Sequence, residues 1–236
     1  MRRALVLGYG VVAYIAFVAV FVALEAFVAG VAAIRAIDAG PTGPWWIDVG
    51  LLALFGVSHS VLARRSVKAQ LPHAIARSTY VVVAAATLGL IVWQWRAEPT
   101  GVWRVQGTVA RGAVWAVHGA GLVLVGWSTF ITDHFDLFGL RQVWLYAHGR
   151  PYTPVPFVEH WLYSRVGHPM MLGLLVVFWA APTMSIGHVV FAAGMSAYIA
   201  IGVAFEERAL IHEHGEPYRA YRQRVRALLP VRRGGS

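Results

Sequence analysis

Residues 203–225, VAFEERALIHEHGEPYRAYRQRV, join the end of a long apolar run to a strongly basic segment. The run ends at Phe205, and two adjacent acids, Glu206 and Glu207, follow directly. Two histidines, two tyrosines spaced three apart and a series of arginines come next. By itself the pattern predicts a membrane helix that continues as a basic amphipathic helix, residues 206–229, at the membrane surface. On composition alone, a plain interfacial anchor is the simplest interpretation of this helix.

The composition is that of an integral membrane protein. The chain has 236 residues, of which 58% are hydrophobic and 13% are charged. A soluble domain carries about 25% charged residues, so most of this chain belongs in lipid. The absence of cysteine excludes disulfides, thiolate metal ligands and a catalytic thiol of the protein's own. We predict no metal site.

The net charge of +9 is strongly positive. In a soluble protein such a charge indicates nucleic acid. Here the basic residues lie between and after apolar runs, as in cytoplasmic loops that face anionic lipid. We therefore predict the lipid bilayer, and not nucleic acid, as a partner. The sequence leaves the oligomeric state open.

A helix needs roughly 20 apolar residues to cross the hydrocarbon core of a bilayer. The chain contains six candidate spans, of which the fifth is short and closed by Pro182. They are residues 4–34, 46–63, 79–95, 112–132, 169–182 and 186–205. The predicted fold is all-α: a polytopic membrane helix bundle of five to six transmembrane helices with a cytoplasmic C-terminal amphipathic helix.

The last two spans are separated only by APTMSIG, so they are predicted to form one helical hairpin, residues 168–206. We treat residues 1–236 as a single domain. Its N-terminal helices occupy residues 1–135, and residues 136–236 form a core that contains the hairpin and the C-terminal helix.

Lysine and arginine placement predicts the orientation of the chain. Of the 20 lysines and arginines, only four lie on one side: Arg35, Arg96, Arg104 and Arg111. The other 16 (20 − 4) precede the first span, lie between spans two and three or four and five, or follow the last span. Both termini are therefore expected in the cytoplasm.

Polar groups in or beside apolar runs are functional candidates, because they are costly in lipid. His59 and Ser60 lie in the second run, where the histidine is either a base or a hydrogen-bonded contact between helices. Asp133, His134, Asp136 and Arg141 cluster where the fourth run ends. They form either a polar pocket or a capped helix end with surface ion pairs.

His168 and Pro169 begin the fifth run. Proline at the first turn of a helix costs no hydrogen bond, and the helix N-terminus offers N–H groups to an anion. These segments offer acids that could bind a cation, helix N–H groups that could bind a carboxylate and tyrosines that could contact a ring. Such groups suit a zwitterionic cofactor with an adenine ring. S-adenosylmethionine is one molecule with these features.

LYSRVGHPMMLG (162–173) followed by EERALIHEHGEPYRAYRQRV (206–225) resembles the C-terminal core of membrane methyltransferases of the isoprenylcysteine carboxyl methyltransferase kind. Upstream, HSVLARRSVK (59–68) and STFITDHFDLFGLRQVWLY (128–146) make the chain similar to the bacterial methanethiol S-methyltransferases, which are related to NnrU-like proteins. The resemblance implies transfer of a methyl group from S-adenosylmethionine to methanethiol in the bacterial inner membrane, giving dimethyl sulfide and S-adenosylhomocysteine.

The resemblance also implies roles for individual residues. The cofactor is expected at His168, Pro169, Glu206, Glu207, Tyr218, Tyr221 and Tyr163. A thiol must lose its proton to react, and His134 or His59 is the expected base. The acceptor is expected near Asp136, Phe135, Arg141 and Ser60, with Trp127, Phe130 and Trp144 as further candidates for the lining of its pocket.

The chain departs from the family pattern at two positions. Gly167 stands where the pattern has arginine, and Arg226 stands where it has proline. Arg165 or Arg208 is the expected substitute for the missing arginine. Alternative interpretations are the same chemistry on a larger thiol, a prenylcysteine carboxylate or a lipid amine. Others are an NnrU-like haem protein with His59 and His168 as ligands, and a membrane scaffold without enzymatic activity.

Overall fold

Apolar helices account for most of the chain, as its composition predicts. The computed structural model describes residues 1–155, 159 and 161–229. In chain order the elements are α1 Arg2–Val28, α2 Trp46–Ala63, α3 Arg65–Lys68, α4 His73–Gln94, β1 Gly101–Arg104, α5 Thr108–Ile131, α6 His134–Leu137, α7 Leu140–Ala147, α8 Pro169–Trp179, β2 Thr183–Ser185, α9 Ile186–His214 and α10 Glu216–Arg224.

Within the described residues, five helices are long and apolar enough to cross a membrane. They are α1, α2, α4, α5 and α9. The prediction of a polytopic α-helical membrane protein is confirmed, and the number of long helices lies within the predicted five to six.

The chain forms two compact units whose segments alternate along the sequence. Unit 1 comprises residues 1–102, 133–155 and 184–191. The described part of unit 2 comprises residues 103–132, 159, 161–183 and 192–229.

In unit 1, α4 packs against both α1 and α2, and α7 packs against α1. The centre of this unit contains three aromatic rings, those of Phe27, Trp95 and Phe191, in edge-to-face pairs with centroids 5.7 to 6.0 Å apart. Edge-to-face geometry is favourable because the positive ring edge meets the negative ring face. The apolar faces of these helices are thereby buried against one another.

In unit 2, α5 and α8 pack closely because glycines face each other. A Cβ atom on Gly121 would lie 3.0 Å from the carbonyl oxygen of Gly173, and one on Gly173 would lie 2.8 Å from that of Gly121. Small residues at such a crossing let two membrane helices approach and gain dispersion contacts. His118 near the start of α5 bonds the carbonyl of Ala180, 3.1 Å away, so the two segments run antiparallel.

The fifth predicted span, residues 169–182, is wrong as a continuous membrane helix. The helix α8 has 11 residues and is about 16 Å long, half of the roughly 30 Å hydrocarbon thickness. The chain then extends into β2, which pairs with β1. The Val105 N–H donates to the Pro182 carbonyl at 2.8 Å. Neither strand is predicted from the sequence, because strand pairing satisfies backbone groups of segments far apart in the chain.

The predicted basic helix 206–229 is also wrong in its limits. The helix α9 continues without interruption through Glu206 to His214, so the glutamates lie inside it. Gly215 then adopts a φ of 62°, a conformation that favours glycine, and ends the helix. The short helix α10 follows and ends at Arg224.

Candidate active site

The N-terminus of α8 is held by the C-terminal segment of unit 2. The N–H of Gly167 donates to the carbonyl of Arg226, and the N–H of His168 donates to that of Ala227, both at 2.8 Å. No side chain caps the helix, and Pro169 occupies its first turn. The N–H groups of Met170 and Met171 therefore have no acceptor within the helix and are available to a ligand.

The two glutamates of α9 approach the ring of His168 from different sides. Glu206 Oε2 lies 3.6 Å from Nδ1, and Glu207 Oε1 lies 3.9 Å from Nε2. The structure thus brings together four of the predicted cofactor residues: His168, Pro169, Glu206 and Glu207.

The two carboxylates differ in exposure and in partners. The side chain of Glu207 is 12% exposed and Glu206 is 52% exposed. Arg222 of α10 binds Glu207 with an N–O distance of 2.9 Å. The charge of Glu207 is therefore already compensated by the protein, whereas Glu206 presents its carboxylate outward.

The arrangement fits the polar end of S-adenosylmethionine. His168 is 7% exposed, and its Nε2 atom lacks a hydrogen-bond partner within the part of the chain that the structure describes. A buried polar atom left in this state is costly, so it is typical of a site completed by a ligand. The carboxylate of Glu206 matches an ammonium group, and the uncapped α8 N-terminus matches a carboxylate.

The tyrosines of α10 have a different environment. Tyr218 and Tyr221 are 2% and 3% exposed, and they pack with Val225 against Leu210 and Ile211. Burial raises the pKa of Tyr218 to about 12, with Glu207 and Glu206 adding to the shift. Both rings therefore hold α10 against the end of α9, and direct contact with a cofactor stays a prediction.

Tyr163 links this cluster to the loop before α8. Its carbonyl accepts the hydroxyl of Tyr221 at 2.6 Å. Burial, opposed by a hydrogen bond with Thr132 and assisted by the negative charge of Glu206, raises the pKa of the Tyr163 hydroxyl. The phenol consequently remains protonated and able to donate a hydrogen bond.

Sequence reasoning missed Arg222. The expected substitutes for the missing family arginine are Arg165 and Arg208, but the guanidinium of Arg208 lies over the ring of Phe205, 5.8 Å from its centroid. Arg222 follows Tyr218 by four residues and so shares its side of α10, which is the signal available in the sequence.

The two departures from the family pattern meet in space. Gly167 and Arg226 are hydrogen-bonded to each other through their backbones. A Cβ atom on Gly167 would lie 3.2 Å from Cα of Ala227 and 3.4 Å from the carbonyl oxygen of Arg226. Glycine therefore suits the close approach of the C-terminal segment at this position.

Unit 1 contains the second predicted group, centred on Asp136. Arg141 donates to Asp136 Oδ1 at 2.9 Å, and the Tyr152 hydroxyl donates to Oδ2 at 3.3 Å. Arg141 also bonds the carbonyl and hydroxyl of Thr153, at 2.9 and 2.8 Å. The bond to Asp136 raises the pKa of Arg141. Both oxygens of this carboxylate are thus occupied by the protein itself.

His134 lies at the start of α6, after Asp133, which adopts a φ of 76° and caps the helix by accepting the N–H of Asp136. Its Nε2 is 2.8 Å from the Tyr14 hydroxyl, and its ring packs against Phe138. Burial lowers the pKa of His134, although the charge of Asp133 acts in the opposite direction. The imidazole is therefore neutral near pH 7.

His59 lies in α2 with its Nε2 hydrogen-bonded to the hydroxyl of Tyr80 on α4. Ser60, the next residue of α2, is half-buried.

The aromatic residues proposed to line an acceptor pocket are exposed, as expected for rings that face lipid. Their exposed fractions are Trp127 52%, Phe130 65%, Phe135 55% and Trp144 43%.

Comparison with known proteins assigns the family. A family model described as NnrU protein matches residues 49–232. The chain belongs to the NnrU family. No solved structure matches it.

This NnrU family member is similar to several known proteins, including two that are named as methyltransferases. A methanethiol S-methyltransferase of Mycobacterium tuberculosis (strain ATCC 25618 / H37Rv) is 43% identical over 238 residues, which cover 98% of each chain. Methanethiol S-methyltransferase 1 of Bradyrhizobium diazoefficiens is 47% identical over 191 residues, 79% of this chain and 67% of its own. Nurim of Rattus norvegicus is 28% identical over 179 residues, 69% of this chain and 66% of its own. The resemblance read from the sequence is confirmed.

Proposed function

We propose that this protein methylates methanethiol to dimethyl sulfide, with S-adenosylmethionine as the methyl donor and S-adenosylhomocysteine as the second product. The observation that carries the proposal is the match, over 98% of both chains, to a relative named methanethiol S-methyltransferase. The cluster around His168 supports it, because its charges and free donors suit the amino-acid end of the cofactor.

The paired glutamates have separate tasks in this proposal. Glu206, whose carboxylate is half-exposed, binds the cofactor's ammonium group. Glu207 is held by Arg222 at 2.9 Å and positions the ring of His168. The N–H groups at the start of α8 bind the cofactor's carboxylate. Tyr163, Tyr218 and Tyr221 act mainly by fixing α10 and the loop before α8.

Bound S-adenosylmethionine supplies an electrophilic sulfonium methyl group. The thiol sulfur forms the new bond to this methyl carbon while the old carbon–sulfur bond breaks, and the thiol proton must go to a base or to water. Alkyl thiols ionise at or above a pH of about 8.5, so a base assists at neutral pH. Holding both reactants in line supplies much of the rate.

His134 is the base that we favour, with His59 as the alternative. Its lowered pKa keeps the imidazole neutral near pH 7, and a neutral imidazole can accept a proton. The bond to Tyr14 orients the ring. For the acceptor, Asp136, Phe135, Arg141 and Ser60 remain our candidates.

The location completes the proposal. The whole span 1–236 would act as one membrane methyltransferase domain of the bacterial inner membrane, with its cofactor core in residues 136–236. In unit 2 the segment that ends at β2 runs alongside α5. Tyr163 near its beginning bonds Thr132 at one end of α5, and the Pro182 carbonyl accepts the N–H of Val105 just before the other end. A sixth crossing of this kind would place both termini on one side, and the distribution of lysine and arginine supports the cytoplasm as that side.

The test is product formation by the purified full chain in detergent. With methanethiol and S-adenosylmethionine we expect equal amounts of dimethyl sulfide, measured by gas chromatography, and S-adenosylhomocysteine, measured by liquid chromatography. Glu206→Gln should lose most of this activity, whereas Glu216→Gln, an exposed glutamate of α10, should keep it. If S-adenosylhomocysteine formed only with a larger thiol, a prenylcysteine or a lipid amine, methanethiol would be the wrong acceptor.

A further inference from the structure

Unit 1 contains a cavity of about 590 Å³, and Asp136 is the one residue of its lining that the proposed methyl transfer also uses as an acceptor candidate. Its walls come from the connection between α2 and α4, from the first turns of α4 and from α6 and α7. The lining residues are Lys68, Ala69, Leu71, His73, Ala76, Arg77, Asp136, Gln142 and Tyr152. The cavity opens where α2 has ended and α4 begins, which is where apolar helices meet the headgroup layer of a bilayer.

The charge of the lining is positive. Lys68 and Arg77 contribute two cations, and both lie over the ring of Tyr80, 5.8 and 5.4 Å from its centroid. Arg77 is also fixed by its Nε–H, which donates to the carbonyl of Leu137 at 2.7 Å. The only carboxylate of the lining, Asp136, is already bound by Arg141. The remaining field therefore favours an anion.

The start of α4 adds to this field. Pro72 precedes the helix and no side chain caps it, so the first N–H groups are left for another acceptor. His73, the first residue of α4, lines the cavity. The positive end of the helix dipole thus lies at the same place as the two cations.

Gln142 provides independent evidence for a ligand. Its side chain is 7% exposed, and its Nε2 donates to the carbonyl of Asp136 at 3.1 Å. Its Oε1 atom has no hydrogen-bond partner among residues 1–155, 159 and 161–229. Because Nε2 must face a carbonyl, Oε1 is identified as the free acceptor, and a ligand that satisfies it must bring an O–H or N–H group.

We propose that this cavity binds a phosphate ester that also carries a hydroxyl or amine donor, the chemistry of an anionic phospholipid headgroup such as phosphatidylglycerol. The phosphate lies between Lys68, Arg77 and the start of α4, and the donor group bonds Oε1 of Gln142. Leu71, Ala69 and Ala76 supply apolar contacts for the glycerol. A soluble phosphate ester would offer the same polar groups without the acyl chains.

The experiment measures binding to the full chain in a neutral detergent by microscale thermophoresis. The probes are dihexanoyl phosphatidylglycerol, dihexanoyl phosphatidylcholine, whose headgroup has no donor, and sn-glycerol 3-phosphate. We expect phosphatidylglycerol to bind at least about tenfold more tightly than phosphatidylcholine, which lacks the donor and whose choline cation is repelled by Lys68 and Arg77. Glycerol phosphate that bound as tightly as phosphatidylglycerol would identify a soluble ester as the ligand, and weaker binding would identify the lipid.

Variants separate this site from general charge attraction. Lys68→Gln and Arg77→Gln should each weaken phosphatidylglycerol binding about tenfold. Arg64→Gln, which removes an exposed cation outside the lining, should not change it. Gln142→Leu should weaken phosphatidylglycerol binding and leave phosphatidylcholine binding unchanged. Thermal unfolding without ligand shows whether each variant is folded, and Arg77→Lys, which keeps the charge, should retain binding.

Equal losses in Arg64→Gln and Arg77→Gln would overturn the proposal, as would the absence of binding by all three probes. Displacement of phosphatidylglycerol by S-adenosylhomocysteine would assign the cavity to the cofactor and would also overturn it. Dimethyl sulfide production by the same preparation is measured in parallel, so that failure of this proposal and failure of the proposed methyl transfer are distinguished.

Discussion

The two units each contain a partly buried acid beside an arginine, but only in unit 1 are both oxygens of the acid hydrogen-bonded. In unit 1 both oxygens of Asp136 are bonded, one to Arg141 and one to Tyr152. In unit 2 Arg222 compensates Glu207, while Glu206 stays 52% exposed beside a histidine whose buried Nε2 lacks a hydrogen bond to any described residue. Because unsatisfied buried polar atoms are costly, the incomplete cluster is the better candidate for ligand binding, and the complete one for holding the fold.

The largest effect is expected for Glu206→Gln. The amide keeps the size of the side chain and removes the charge, so affinity for S-adenosylhomocysteine should fall about 100-fold, or about 3 kcal/mol, in isothermal calorimetry. Stability should change little because the side chain is half-exposed. Glu216→Gln is the matched control. Unchanged affinity in Glu206→Gln would show that this residue does not bind the cofactor's ammonium group.

Asp136→Asn should instead act on stability. Loss of the carboxylate removes the closer of the two acids beside Arg141, leaving Asp133 at 3.8 Å, and should lower the free energy of unfolding by about 2 kcal/mol. An unchanged KM for methanethiol would show that the cluster only holds the fold and would remove Asp136 from the candidates for the acceptor site. A raised KM with an unchanged unfolding curve would show that Asp136 binds substrate, and the contrast between the two clusters would then be wrong.

Arg222→Met tests the division of labour between the glutamates. Methionine resembles the unbranched stem of arginine but lacks the charge, so Glu207 loses its arginine partner. Cofactor affinity should therefore fall roughly fivefold, or about 1 kcal/mol. Arg222→Lys should restore part of this loss. If Arg222→Met weakened binding as much as Glu206→Gln, Glu207 would contact the cofactor as directly as Glu206.

The smallest effect is the pH dependence contributed by His134. Its folded pKa is lowered, so the unfolded chain binds more protons between the two pKa values, and stability rises with pH there. The contribution is complete above the unfolded pKa of about 6.5 and is lost as pH falls through the folded value. It should be small because Asp133 opposes the shift.

Unfolding curves of parent and His134→Gln between pH 5 and about 8, the usual range of histidine titration, measure this contribution. The difference between the two proteins should narrow toward acid pH. The acid limb of the kcat profile should also disappear in His134→Gln if His134 is the base. An acid limb that persists unchanged in the variant would favour His59.

Hydrophobic runs were enough to predict the membrane helices, and the family resemblance was enough to expect His168, Pro169, Glu206 and Glu207 in one place. Their contact with a cofactor stays a prediction. These two signals were not enough to predict the break at Gly215 or the strand pair, because φ at one glycine and pairing of distant segments depend on neighbours in space. Nor did they reveal that Tyr218 and Tyr221 pack against Leu210 and Ile211.

By itself the sequence determined that this chain lies in a membrane, since the thickness of the hydrocarbon sets the length of an apolar run. It also determined which charged groups follow those runs. Only the tertiary structure decided how the charges are partnered. Glu206 and Glu207 are adjacent in the chain, yet the fold of α10 brings Arg222 to one of them and leaves the other exposed. Electrostatic energy depends on distance and burial, and neither is written in the order of the residues.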